Sequence, residues 1–191
     1  MNPVTPASYF IDTLSQTPPD AVAWISGNQD HPDLYGNVFF YQTSYIGLLI
    51  QAELFNLPFS IQTPNPQSQP QSQQKNQPQN LFGNEINSFG SLTAPSFYGM
   101  HIHQIGDCTL PFDQTGEHYN PNSLPHPKHA GDLPPLLGNE GYAFSIFYTE
   151  SLTLSQIIGR SIIIHQNPDD FTTQPAGSSG EKIGCGVIQW G

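Results

Sequence analysis

Positive charge is what this 191-residue sequence most lacks: Lys and Arg total 4, Asp and Glu total 15, and the formal net charge is -11. Four scattered cations, Lys75, Lys128, Arg160 and Lys182, cannot neutralise a run of phosphates, which argues against nucleic acid as a partner. An anionic membrane surface is disfavoured for the same reason. No run of 18 apolar residues exists, so no transmembrane helix is predicted. The opening Met1-Asn2-Pro3-Val4-Thr5-Pro6 lacks the basic and apolar regions of a secretory leader, which predicts a soluble, cytoplasmic chain and leaves an exported form open. Cysteine is limited to Cys108 and Cys185. The absence of thiolates near the histidines argues against an iron–sulfur or Cys-type zinc site, and the two cysteines leave buried thiols and a single crosslink both open.

What is abundant is Pro (19) and Gly (17), which argues against a helical bundle. They punctuate short runs rich in Val, Ile, Phe and Tyr, the pattern of an all-β sandwich or barrel. Strand-like runs fall at 21–26, 34–42, 46–57, 97–104, 141–148, 161–165 and 183–190. A lead-in over 1–20 precedes one domain over 21–191. Residues 62–80 hold 8 Gln, 4 Pro and 3 Asn with almost nothing apolar, so burial cannot offset their ordering entropy. The composition predicts a disordered loop insertion reaching about residue 95. Two further stretches, 105–139 and 166–182, read as long loops, and long loops in a compact domain usually carry function.

Six of the seven histidines lie between 101 and 165. His101 and His103 are two apart in a strand-like run, so both rings leave the same face. His118, His126, His129 and Asp132 supply three imidazoles and a carboxylate within 15 residues, a donor set suited to a tetrahedral zinc site. His165 ends the apolar run Ser161-Ile162-Ile163-Ile164, where a buried imidazole needs a partner or a metal. A single histidine is commonly a surface or satisfied core residue, and His31, in Asp30-His31-Pro32-Asp33, reads as a turn residue. Six histidines and an aspartate spread over two strands and one loop point to one or two imidazole-rich metal sites.

In these segments the chain resembles the copper/zinc superoxide dismutases, with features closer to bacterial members. The matching segments are Gly99-Met100-His101-Ile102-His103, Gly116-Glu117-His118-Tyr119-Asn120-Pro121, His129-Ala130-Gly131-Asp132-Leu133, Ile158-Gly159-Arg160-Ser161-Ile162-Ile163-Ile164-His165 and Gly184-Cys185-Gly186-Val187-Ile188, in the family's order. The resemblance implies an eight-stranded, immunoglobulin-like Greek-key β-barrel with the site outside it, under two long loops. It implies copper on His101, His103, His118 and His165, and zinc on His118, His126, His129 and Asp132, with His118 bridging. Asp169 falls at a carboxylate linking ligands of the two sites, and Cys108 and Cys185 would be disulfide-bonded. The implied reaction is disproportionation of superoxide to dioxygen and hydrogen peroxide. Copper alternates between two oxidation states, the His118 bridge opens and closes with a proton, and zinc holds the bridge in place.

One departure concerns the residue three before the second cysteine, where the family usually has an arginine that guides superoxide. Here it is Lys182, which keeps the charge without the planar fork. Oligomeric state does not carry over, and homodimer and monomer both remain open. The competing reading from a binding class is a structural or metal-storing relative without redox chemistry. Its mark would be a missing copper ligand, and none is missing. A cupin-type oxygenase also uses His-x-His on a β-barrel. That pattern needs a nearby Glu, where this chain has Asp107 and Cys108.

Overall fold

A computed structural model describes residues 14, 16–44, 47–59 and 96–191. The predicted insertion at 62–95 and most of the 1–20 lead-in lie outside the described residues. Among the described residues, nine antiparallel strands form one sheet: β1 Ala21–Gly27, β2 Tyr35–Gln42, β3 Leu48–Phe55, β4 Ser96–Tyr98, β5 Met100–His103, β6 Leu136–Asn139, β7 Tyr142–Thr149, β8 Ser161–His165 and β9 Lys182–Trp190. Their order is β4-β6-β7-β3-β2-β1-β9-β8-β5. The two ends of that order, β4 and β5, are consecutive in the chain and separated only by Gly99, so the sheet returns on itself as a nearly closed barrel. Counting those halves as one strand gives the expected eight. The β3-to-β4 and β7-to-β8 connections join strands that are not neighbours, which is the Greek-key crossover.

Alternation explains why these runs are strands. Ala21, Ala23 and Ile25 of β1, Val38 and Phe40 of β2, and Leu48, Ile50, Ala52 and Leu54 of β3 point inward. Met100 and Ile102 of β5 and Ile162 and Ile164 of β8 join the same core. Each fully buried Ile or Leu contributes roughly 1.5–3 kcal/mol, so this interior fixes the register of every strand that carries it. Because Met100 and Ile102 point in, His101 and His103 must point out.

The 105–139 stretch is not all loop, since it ends in β6. Glu140 (φ 51°) and Gly141 (φ 85°) link β6 to β7, and two positive φ values in a two-residue connection are the hairpin geometry that matches strand twist. Leu136 packs inward while Leu137 is exposed. Four residues are too few for alternation alone to reveal a strand. Cys108 and Cys185 are bonded, with Cα atoms 5.7 Å apart across a sequence separation of 77. Phe112 covers this disulfide together with Ile163, so the segment after β5 is held against β8 and β9.

Candidate metal centre

The loop after β5 zips along that strand's free edge. Tyr119 donates its N–H to the Ile102 carbonyl (2.7 Å), Ile102 donates to Gly131 (2.9 Å), and Gly131 donates back to Tyr119 (2.9 Å). This ladder sets His118 opposite His103 and Asp132 opposite His101. Gly131 is required at the crossing, because a Cβ there would lie 2.4 Å from the Ile102 carbonyl oxygen. Backbone pairing therefore carries the loop's donors to the outward-facing strand histidines.

Two groups of donor atoms result, each with its members within 4.8 Å of one another: His101, His103, His118 and His165, and His118, His126, His129 and Asp132. His118 belongs to both. The 101 and 118 ring centroids are 3.9 Å apart, and those of His118 and His129 5.7 Å apart.

Hydrogen bonding orients each ring. His103 Nδ1 donates to the Gly116 carbonyl (2.8 Å) and His165 Nδ1 to the Gly180 carbonyl (3.2 Å). Carbonyls only accept, so both Nδ1 atoms carry the hydrogens and both Nε2 atoms carry lone pairs. Those Nε2 atoms face each other at 3.4 Å. Two lone pairs cannot bond to one another, whereas a shared cation satisfies both. The Nε2 atoms of His101 (2.9 Å) and His126 (2.8 Å) donate to opposite oxygens of Asp169. Their Nδ1 atoms, with His118 Nε2 and His129 Nδ1, are buried without a hydrogen bond, the Nδ1 atoms of His126 and His129 lying 3.1 and 3.3 Å from the Asp132 carboxylate. Buried polar nitrogens left this way are costly, and a metal ion is the partner that their chemistry fits. His118 Nδ1 meets Asp132 at 2.7 Å, which leaves its Nε2 turned to the other group.

Burial first of all, and then neighbouring histidines and Lys182, push His103 down to about 2. Burial likewise leads the shift of His165 to about 3. Both rings are neutral at physiological pH, the state a metal ligand requires. Burial would raise Asp169, but hydrogen bonds from His101, the Phe171 amide and His126 outweigh it and hold the carboxylate ionised. The same balance, with His118 and the His129 amide as donors, keeps Asp132 low.

Lys182 opens β9 opposite His165. Its ammonium donates to Thr115 Oγ1 (2.9 Å) and to the carbonyls of Phe112 (3.3 Å) and Gly116 (3.4 Å). Gly116 is also the acceptor of His103 Nδ1, so the lysine stands one carbonyl away from a strand histidine. Burial lowers the lysine's pKa, opposed by Asp113 and Glu117. All three N–H groups have acceptors, so Lys182 presents its charge to the site rather than a free donor. His31 lies in the β1–β2 turn and belongs to neither donor group, and its amide donates to Asn28 Oδ1.

Sequence reasoning missed three contributors. Arg160 donates to the carbonyls of Gln156 (2.6 Å) and Gln104 (2.7 Å) and lies 3.8 Å over the Tyr119 ring. Gln174 bonds the main chain of His126. Gly177, at φ +65°, leaves room that a Cβ would take 2.0 Å from Asp169 Oδ1. Arg160 stands inside a segment that carries the family resemblance, but nothing in the sequence pointed to its contacts, to Gln174 or to Gly177.

The family profile described as "Copper/zinc superoxide dismutase (SODC)" matches residues 70–188. Superoxide dismutase [Cu-Zn] 3 of Arabidopsis thaliana is 35% identical over 111 residues, covering 50% of this chain and 68% of that one. A superoxide dismutase [Cu-Zn] of Deinococcus radiodurans is 36% identical over 114 residues, covering 48% and 63%. A copper chaperone for superoxide dismutase of Sus scrofa is 33% identical over 107 residues, covering 49% and 39%. Among solved structures, that of the clock protein EA4 aligns with a TM-score of 0.64 and 25% identity, over 91% of this chain and 96% of that one.

Proposed function

The chain belongs to the copper/zinc superoxide dismutase family, and from that premise we propose that it disproportionates superoxide, 2 O2•− + 2 H+ giving O2 + H2O2. The domain that does so would span 21–191, with 62–95 as an insertion. Copper would be held by His101, His103, His118 and His165, and zinc by His118, His126, His129 and Asp132. When bound, copper supplies a one-electron acceptor and donor, and zinc a redox-inert charge.

The observation that carries this reading is His118, the one imidazole common to both donor groups, with Nδ1 on Asp132 and Nε2 buried without a hydrogen-bond partner. In the proposed reaction His118 Nε2 holds the proton that the product needs, at an atom close to His101 and His103. Asp169 fixes the ring planes of His101 and His126, because it accepts from both. The Cys108–Cys185 bond and Phe112 keep the loop that carries Gly116 against the barrel. Lys182 places a positive charge beside an otherwise acidic chain, which draws an anion towards the site.

Similarity to a copper chaperone supports a second reading, in which the chain holds the metals without turning over superoxide. Superoxide decay followed by stopped flow separates the two. The copper- and zinc-loaded chain should accelerate decay and the zinc-only chain should not. Metal binding with no acceleration in either form favours the second reading.

A further inference from the structure

We propose that Gln174 is a positioning residue for the zinc side of the centre, acting as a latch on the main chain of His126. Its side-chain Oε1 accepts the His126 N–H at 3.0 Å, and its Nε2 donates to the His126 carbonyl at 2.7 Å. The direction is unambiguous, since an amide N–H only donates and a carbonyl only accepts. One glutamine thus takes both main-chain groups of one histidine 48 residues away.

His126 needs such a hold. Among the described residues, the backbone–backbone bonds of 121–128 are local, from Ser123 to Asn120 and from Lys128 to Pro125, so none ties that stretch to the barrel. The opposite loop is stitched down. Gln166 donates to Glu181, Asn167 to Ser179, Asp170 to Gly177 and Gly177 to Thr173, and Gly99 of the barrel donates to Asn167. Gln174 therefore joins a loosely held segment to a firmly held one.

The latch also completes what Asp169 leaves open. Asp169 accepts from His126 Nε2 at 2.8 Å, which fixes one end of the ring. Its Nδ1 lies 3.1 Å from Asp132 Oδ2, and these side-chain contacts still leave the Cα free to shift with its loop. With the peptide held as well, both ends are fixed and so is the direction of Nδ1, the atom left for a metal. Gly177 lets the two loops approach this closely, since any Cβ there would strike Asp169 and His126.

This inference rests on His126 being a zinc ligand. The test measures zinc and copper affinity by competition with a chromophoric chelator, in disulfide-intact chains first stripped of metal, together with thermal unfolding of the stripped chains. Gln174→Met keeps the side-chain length and removes both bonds. Thr172→Val, on the same loop, removes a hydroxyl bonded only to Asp170. Loss of an outer partner of a metal ligand typically weakens binding roughly 10–100-fold. Gln174→Met should weaken zinc by about 10-fold or more, with copper within about twofold, an unfolding temperature lowered by no more than a few degrees and zinc binding by Thr172→Val like wild type. Zinc affinity unchanged in Gln174→Met, or weakened equally in Thr172→Val or for copper, overturns the latch while leaving the metal site standing. A wild-type chain that takes up no zinc overturns the site itself and the latch with it.

Discussion

The Nε2 atoms of His103 and His165 face each other at 3.4 Å, and each ring's other nitrogen is committed to a carbonyl. Two neutral rings set lone pair against lone pair there, and a shared cation satisfies both. In the metal-free chain both rings titrate far below the usual histidine value of 6.5, near 2 and 3. The unfolded chain therefore binds protons between about pH 6.5 and 3 that the folded chain does not, and stability falls as pH falls through that window. Two such groups give a slope of up to roughly 2.7 kcal/mol per pH unit. Denaturant titrations of the metal-free protein at pH 7, 6 and 5 should show this loss, and a pH-independent midpoint would contradict it.

Asp169 is bonded to one ring private to each donor group, His101 on one side and His126 on the other. Asp169→Ala leaves the Nε2 atoms of His101 and His126 without their acceptor and frees both rings to turn. Chelator competition should show both metals weakened by roughly 10-fold or more. A loss confined to one metal would show that the carboxylate serves one site.

Lys182→Ala removes the positive charge beside the site. Superoxide removal by the loaded enzyme should fall several-fold, and added salt should slow the variant less than it slows wild type. With the local cation gone, screening acts mainly on the acidic background, which repels the substrate. Unchanged rate and unchanged salt dependence would remove Lys182 from the account.

Gly177 and Gly159 both have positive φ, +65° and +81°, but a Cβ at Gly159 meets nothing within 4 Å. Gly159→Ala should cost only the backbone term, about 1–2 kcal/mol. Gly177→Ala should cost more, because it also displaces Asp169. Equal unfolding midpoints for the two variants would contradict the steric argument.

The barrel was largely legible because its strands carry runs of large apolar residues with turn residues between them. β6 escaped because only Leu136 and Leu137 mark it. The donor residues could be read from His101-x-His103 and from the spacing of 118, 126, 129 and 132, since ligand types are rare enough to stand out. Which nitrogen of each ring is free could not be read. It depends on the carbonyls of Gly116 and Gly180 and on Asp169, brought in by separate loops. Arg160 and Gln174 were invisible for a related reason: each acts through main-chain atoms of distant residues, and such contacts leave no pattern of residue types.

The central claim is that His118 belongs to both sites, and His118→Ala tests it most directly. Copper and zinc content and superoxide removal should be measured together on the reconstituted variant and on wild type. The account predicts copper and zinc in wild type with rapid removal, and in the variant weaker binding of both metals with removal reduced by at least about 10-fold. A variant that keeps both metals and full activity would contradict it.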